Sequence, residues 1–163
     1  MSTTSYSQEN ALRKNVVHLT GGTIVFYYAW GLNYERMLAD YDEKAINSLW
    51  ISAGYGGWND GWGGKGPLVN GMFRALMFNG KHHIEISVGY ASRFDSDSYD
   101  RWIAEGMTNT NFNEKSDFWD GSMAGGIGWR VQKPGGHFMF RMGLAWPETA
   151  YLGLGYSFGK RYE

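Results

Sequence analysis

Residues 151–158 have the sequence YLGLGYSF, in which two kinds of side chain alternate. One parity consists of Leu152, Leu154, Tyr156 and Phe158, and the other consists of Tyr151, Gly153, Gly155 and Ser157. Successive side chains of a β-strand point to opposite faces. This stretch therefore predicts a strand with one large apolar face and one mostly small face.

The alternation recurs in seven further segments, less cleanly in residues 15–26 and 68–78. In residues 137–146, HFMFRMGLAW, every second residue from Phe138 to Trp146 is large and apolar. Every segment has at least 9 residues, and a tilted strand needs roughly 9–11 residues to cross a bilayer. We predict eight strands, at residues 15–26, 29–39, 47–58, 68–78, 82–94, 118–132, 137–146 and 150–158.

The connections between these segments differ in length. Residues 79–81 and 134–136 form tight turns, whereas 59–67 and 95–117 are longer, polar and rich in Gly, Asp and Asn. Short turns at one end and long loops at the other are typical of outer-membrane barrels, whose long loops lie outside. The short connection at 147–149 is an exception at the loop end. An even number of strands places both termini at the periplasmic, short-turn end.

The whole pattern predicts an all-β fold, a closed up-and-down antiparallel barrel of about eight strands and of the transmembrane type. We expect one domain over residues 1–163, with a flexible N-terminal segment at 1–13, the barrel at about 14–158 and a C-terminal extension at 159–163. Met1 is followed by polar residues, so no secretory signal peptide is visible. Because such a barrel must be exported, we interpret the sequence as a mature chain with a replacement Met, or as an engineered one.

Composition narrows the classes of function. The 163 residues include 24 Gly, 8 Trp, 11 Tyr and 9 Phe but no Cys, which excludes disulfides, thiol catalysis and thiolate metal sites. A formal net charge of −1 gives no electrostatic case for nucleic-acid binding. The sequence contains no run of about 18 apolar residues, so it predicts no transmembrane helix.

Aromatic residues fall in two groups along the predicted strands. The loop-end group comprises Tyr27, Tyr28, Trp30, Trp58, Trp119 and Trp146, and the turn-end group comprises Trp129, Phe138, Tyr156 and Phe158. Two aromatic belts are typical of a barrel in a bilayer, because amphipathic rings suit the headgroup layer. A soluble barrel or sandwich with an aromatic core is the alternative. The Gly-, Ser- and Ala-rich parity favours the membrane, since it fits a narrow interior better than a solvated exterior.

Five charged residues lie on the predicted inward parity of five different strands, namely Glu35, Arg74, Glu85, Arg130 and Arg141. The interior of an eight-stranded barrel is just wide enough for side chains to fill it. Charges buried there must be paired. We therefore predict a Glu–Arg network that plugs the lumen, with a proton or ion path or a polar ligand site as the alternative.

Other polar clusters do not point to catalysis or to a cofactor. His82 and His83 are adjacent and would face opposite sides of a strand, and residues 95–100 lack the central Gly and bidentate Glu of a calcium loop. Nothing fixes a nucleophile beside a base among His83, Ser87 and Glu35. We predict no enzyme activity, no metal and no cofactor.

Three stretches carry a resemblance to known sequences: residues 31–36, GLNYER; residues 128–141, GWRVQKPGGHFMFR; and residues 152–158, LGLGYSF. They are similar to strands of a small, uncharacterised outer-membrane barrel family of Bacteroidota-type bacteria, over about Lys14 to Phe158. The resemblance implies a fold and a location but no activity. The sequence departs from this pattern after Phe158, because such barrels usually stop at a C-terminal Phe and residues 159–163 follow it here.

These observations predict a bacterial outer-membrane barrel with a plugged polar lumen and with loops 59–67 and 95–117 outside. We expect it to be a structural or interaction component. Its expected partners are membrane lipid and a protein, which the barrel contacts either through its outside loops or as a subunit of a larger outer-membrane complex. The alternatives are a porin-like barrel that binds a ligand or transports a small solute, and a soluble or engineered barrel. The longer loop is polar on the whole but contains Tyr99, Trp102, Ile103, Met107 and Phe112, and Phe118 follows directly after it. We therefore expect it to fold back or meet a partner through a short helix near 99–106.

Overall fold

Eight antiparallel strands account for most of the structure, a computed structural model that describes residues 12–24, 26–41, 45–107, 115–146 and 149–161. The strands are β1 (Arg13–Ile24), β2 (Tyr27–Asp40), β3 (Ile46–Asn59), β4 (Lys65–Met77), β5 (His82–Phe94), β6 (Trp119–Gln132), β7 (Phe138–Trp146) and β8 (Thr149–Arg161). One α-helix, α1 (Ser96–Ala104), and a 3₁₀ turn at Lys115–Phe118 lie between β5 and β6. None of the described helices is both long enough and apolar enough to cross a membrane.

Each strand pairs with the next, and β8 pairs with β1 to close the barrel. Val17 shows the closure, since it faces Tyr34 of β2 on one side and Tyr156 of β8 on the other. The structure thus confirms the predicted closed, eight-stranded, up-and-down barrel. The predicted strand positions agree with the observed ones to within about three residues.

Two strands extend further than the sequence pattern indicates. β4 begins at Lys65, because residues 65–67 pair with residues 57–59 of β3, and this shortens the predicted loop 59–67 to residues 60–64. Asp60 holds that short loop, its Oδ1 accepting from the backbone N–H groups of Trp62 and Gly64 at 2.9 Å each. β8 continues beyond Phe158, and its Arg161 pairs with Arg13. The predicted flexible segment 1–13 lies outside the described residues up to residue 11.

Side chains alternate between the barrel exterior and the lumen. On β2, Leu32 and Tyr34 are exposed by about half, whereas their neighbours Asn33 and Glu35 are almost completely buried. The lumen itself is layered. An apolar cluster closes the turn end (Leu12, Val16, Met37, Trp50, Leu76 and Met139), and another lies towards the loop end (Ala29, Trp58, Leu68, Met72, Ala91 and Ala124).

The segment between β5 and β6 packs at the loop end, where α1 contacts β4 and the 3₁₀ turn. Asp95 caps α1, because its Oδ1 accepts from the Ser98 N–H at 3.1 Å and its Oδ2 accepts from the Ser98 hydroxyl at 2.6 Å. Four aromatic rings then pack together in a cluster that we call the loop-end cover: Phe94, Tyr99, Trp102 and Phe118. The predicted helix near 99–106 is thus present but begins earlier, at Ser96. Phe112 lies outside the described residues.

Glycines on β8 make room for side chains inside the barrel. A Cβ at Gly153 would lie 2.8 Å from Thr20 Cγ2 and 2.9 Å from Arg141 Cγ. On the neighbouring strand β1, Gly21 is exposed, and a Cβ there would meet nothing within 4 Å. Only one of these two glycines is therefore required by packing.

We expect Gly153→Ala to lower the free energy of unfolding by about 1–3 kcal/mol, because the added methyl overpacks the lumen. The control Gly21→Ala adds the same methyl on the outside and should change it by less than about 0.5 kcal/mol. Urea titration of the chain folded in detergent micelles, followed by tryptophan fluorescence, measures both values. Equal losses would contradict the assignment of inward and outward faces.

Candidate functional site: the charged lumen and its surroundings

The five charged residues singled out in the sequence lie together between the two apolar clusters of the lumen. Glu35, Arg74, Glu85, Arg130 and Arg141 come from five different strands, and each is no more than 6% exposed. They reach one another because inward-pointing residues of an eight-stranded barrel share a narrow interior. The structure brings all five into one continuous network of ion pairs.

Glu35 is the centre of this network. Its Oε2 accepts from Arg130 Nη1 at 2.8 Å, and its Oε1 accepts from Arg141 Nη1 at 3.1 Å and from Arg74 Nη1. His18 Nε2 lies 2.9 Å from the same Oε1. One fully buried carboxylate thus meets three guanidinium groups and an imidazole, an arrangement that fixes all five side chains.

Glu85 is the second acceptor. Its Oε1 accepts from Arg141 Nη2 and lies 3.4 Å from Arg74 Nε, and its Oε2 lies 3.9 Å from Arg130 Nη1. Each of the three arginines therefore contacts both glutamates. The charges of the lumen are shared across the network and do not form separate pairs.

Neutral side chains complete the network. Gln132 Oε1 accepts from Arg130 Nε at 2.9 Å and from Nη2 at 2.6 Å, and Ser52 Oγ accepts from Arg74 Nη1 at 2.6 Å. The Tyr151 hydroxyl accepts from Arg141 Nη2 at 3.4 Å. The ring of Trp50 lies 4.5 Å beneath the Arg130 guanidinium, a cation–π contact. Every one of the eight strands contributes a side chain: His18, Glu35, Ser52, Arg74, Glu85, Arg130, Arg141 and Tyr151.

Sequence reasoning missed His18 and Gln132 in the lumen. Gln132 follows Arg130 by two residues and therefore shares its inward parity, which predicts a place in the lumen. His18 shares a parity with Val16 and Thr20, but Gly21, Gly22 and Thr23 make both faces of β1 small and weaken its alternation. His18 therefore gave a faint signal, although it contacts the centre of the network.

The structure does not bring together the three groups considered for catalysis in the sequence, His83, Ser87 and Glu35. His83 Nδ1 lies 2.8 Å from the Phe78 carbonyl oxygen, and the Ser87 hydroxyl donates to the Gly126 carbonyl at 3.4 Å. No hydrogen bond among the described residues joins His83 to Ser87 or to Glu35. His82 lies on the exterior, where its ring stacks on Trp129 at 5.3 Å, so the two adjacent histidines face opposite sides of the wall.

Most of the predicted aromatic belt lies on the exterior of the barrel. The exposed members are Tyr28, Trp30, Trp119, Trp129, Phe138, Trp146, Tyr156 and Phe158. Trp58 does not belong to it, since it is only 7% exposed and its Nε1 donates to the Phe94 carbonyl at 3.1 Å. Its parity on β3 is that of Trp50 and Ser52, so alternation alone indicates an inward side chain. Tyr27 is half-buried and stacks on both Trp58 and Trp146 at 6.4 Å.

The strand topology defines the class of fold, a closed, eight-stranded, up-and-down antiparallel barrel. The crystal structure of the N-terminal β-barrel domain of Pseudomonas aeruginosa OprF is similar to this chain, with a TM-score of 0.53 and 15% sequence identity. The match covers 91% of this chain and 99% of the OprF domain. At this identity the likeness concerns the fold alone. No protein-family model matches the chain, and no curated protein matches it.

We expect Glu35→Gln to lower the free energy of unfolding by about 3–5 kcal/mol, because it leaves buried arginines without their central carboxylate. Asp120→Asn is the matched control. Asp120 pairs with Arg93 at 2.8 Å near the loop end, where its side chain is 65% exposed, so its loss should cost less than about 1 kcal/mol. Urea unfolding in detergent micelles gives both values. A Glu35→Gln barrel as stable as Asp120→Asn would show that the network does not hold the lumen together.

Proposed function

We propose that this chain is a closed barrel of a bacterial outer membrane and serves as a structural or interaction component, without enzymatic activity. The observation that carries the proposal is the filled lumen, in which buried ion pairs lie between two apolar clusters. Beside the network lies a cavity of about 10 Å³, about the space of one water molecule. A lumen of this kind supports a role for the outer surface and the loops, and it gives no support to transport.

The exterior supports a membrane location. Large apolar residues cover the middle of the wall on all sides, among them Leu19, Leu32, Phe73, Ile86, Ile127, Leu144 and Leu154. Exposing so much apolar surface to water is unfavourable by roughly 25 cal/mol per Å², and continuous apolar patches of this kind mark membrane or protein contacts. The similarity of the fold to the OprF barrel domain and the resemblance to barrels of Bacteroidota-type bacteria support the same location.

The loop end supports a protein partner as a further part of the proposal. Trp62 is 82% exposed and packs edge-to-face against Phe26 at 5.6 Å, in a loop that Asp60 holds in place. Ile103 and Met107 are also exposed, although Trp102 beside them is buried in the loop-end cover. Exposed aromatic and Met side chains on an ordered surface are typical of the centres of protein interfaces.

A charge on the outer wall tests the membrane location. Leu154 is 69% exposed at the level of the ion network, so in lipid vesicles we expect Leu154→Arg to lower the free energy of unfolding by about 2–4 kcal/mol. Trp62→Arg places the same charge in the β3–β4 loop and should change it by less than about 0.5 kcal/mol. A Leu154→Arg chain that folds as a monomer without detergent would instead favour the soluble barrel.

Electrical recording tests whether the lumen is closed. In planar bilayers we expect no steady current from the inserted chain, because apolar clusters and buried ion pairs interrupt any water-filled path. A porin inserted under the same conditions is the positive control, and heat-modifiable gel migration verifies that the chain is folded. Steady single-channel currents would contradict the closed lumen and favour small-solute transport.

A further inference from the structure

The charges of the lumen network do not balance. Among the described lumen residues, three guanidinium groups, from Arg74, Arg130 and Arg141, contact two carboxylates, from Glu35 and Glu85. Three positive and two negative charges leave a net charge of +1 when His18 is neutral, and a protonated His18 would increase it. A buried charge without a counter-charge is strongly unfavourable. One more negative charge close to the network would neutralise this net charge.

The cavity of about 10 Å³ lies beside this excess charge. Its polar lining consists of Thr20, Arg74, Ser87, Arg141 and Tyr151, and the rest of its wall is apolar. No carboxylate is among the described residues that line it. Two of the three arginines thus border a space that holds about one water molecule or one small ion.

The polar groups around the cavity are guanidinium and hydroxyl groups, all of which can donate a hydrogen bond. Arg141 Nε has no hydrogen-bond acceptor among the described residues. The Tyr151 hydroxyl accepts from Arg141 and so keeps its own hydrogen for another acceptor. The Ser87 hydroxyl makes only a long bond, 3.4 Å, to the Gly126 carbonyl. Guanidinium and hydroxyl donors that converge without a carboxylate favour an anion over a cation.

We propose that this cavity binds one small inorganic anion, such as chloride, against Arg74, Arg141 and the Tyr151 hydroxyl. The anion balances the third arginine and supplies the acceptor that these donors lack. A water molecule fits the same space but leaves the charge uncompensated, and the small volume excludes sulfate and phosphate. The site is independent of the proposed function, because the charge count and the cavity are the same in detergent and in a membrane.

Anomalous scattering tests the site directly. Crystals of the detergent-folded full chain grown in sodium bromide should show one strong bromine peak within hydrogen-bond distance of Arg74 and Arg141. Peaks at exposed lysines alone, which would mean an adventitious ion only, contradict the proposal. A cavity filled by water, or by a side chain from residues 1–11, would overturn it as well.

Equilibrium unfolding tests the site in solution, with bromide exchanged for gluconate at constant ionic strength. At a bromide concentration about ten times the dissociation constant, the unfolding equilibrium constant should fall about tenfold. At higher bromide concentrations it should fall no more steeply than binding at one site allows. Ser87→Asp supplies a covalent carboxylate at the cavity and should remove the bromide effect. Ser92→Asp, on the same strand near the loop end, should keep it.

Bromide-independent unfolding of the unchanged chain would overturn the proposal, whether or not Ser87→Asp folds. An equal bromide effect in Ser87→Asp and Ser92→Asp would also overturn it, because it would assign the effect to general salt stabilisation. The conductance of the barrel does not enter either measurement, so failure here leaves the closed-barrel proposal intact.

Discussion

The carboxylate of Glu35 meets an imidazole and three guanidinium groups inside a wall that keeps water away. None of these charges would be stable there alone, since each would lose its hydration without gaining a partner. The surroundings match this requirement. Gly153 on β8 clears the space into which Arg141 extends, and apolar clusters lie above and below the polar layer.

Much of this architecture could be predicted from the sequence, because a strand has a side-chain period of two whatever its partners are. That period locates the eight strands and assigns Glu35, Arg74, Glu85, Arg130 and Arg141 to the interior. It does not tell which arginine meets which glutamate, because the pairing depends on the stagger between strands. Trp58 was assigned wrongly. Its position near the loop end suggested the aromatic belt, whereas its parity on β3 indicated the lumen.

Connections were harder to predict, because Gly, Pro and Asp occur both in loops and at strand ends. Residues 65–67, KGP, look like part of a loop, but they pair with the end of β3 and extend β4. The helix α1 begins earlier than predicted because the Asp95 side chain caps it, and an isolated Asp-rich stretch does not distinguish a cap from a solvated loop. In both places the boundary of the element depends on hydrogen bonds that the sequence pattern does not reveal.

The contribution of one side chain from every strand to the ion network has a consequence for strand alignment. Shifting a strand by one residue exchanges its two faces, and the apolar pattern opposes that error strongly. Shifting it by two residues restores the same faces, so the apolar pattern barely distinguishes the shifted barrel from the correct one. A two-residue shift would, however, carry Arg74 or Arg141 away from Glu35 and into an apolar layer. The ion network thus opposes two-residue shifts in strand register, to which hydrophobic alternation is insensitive.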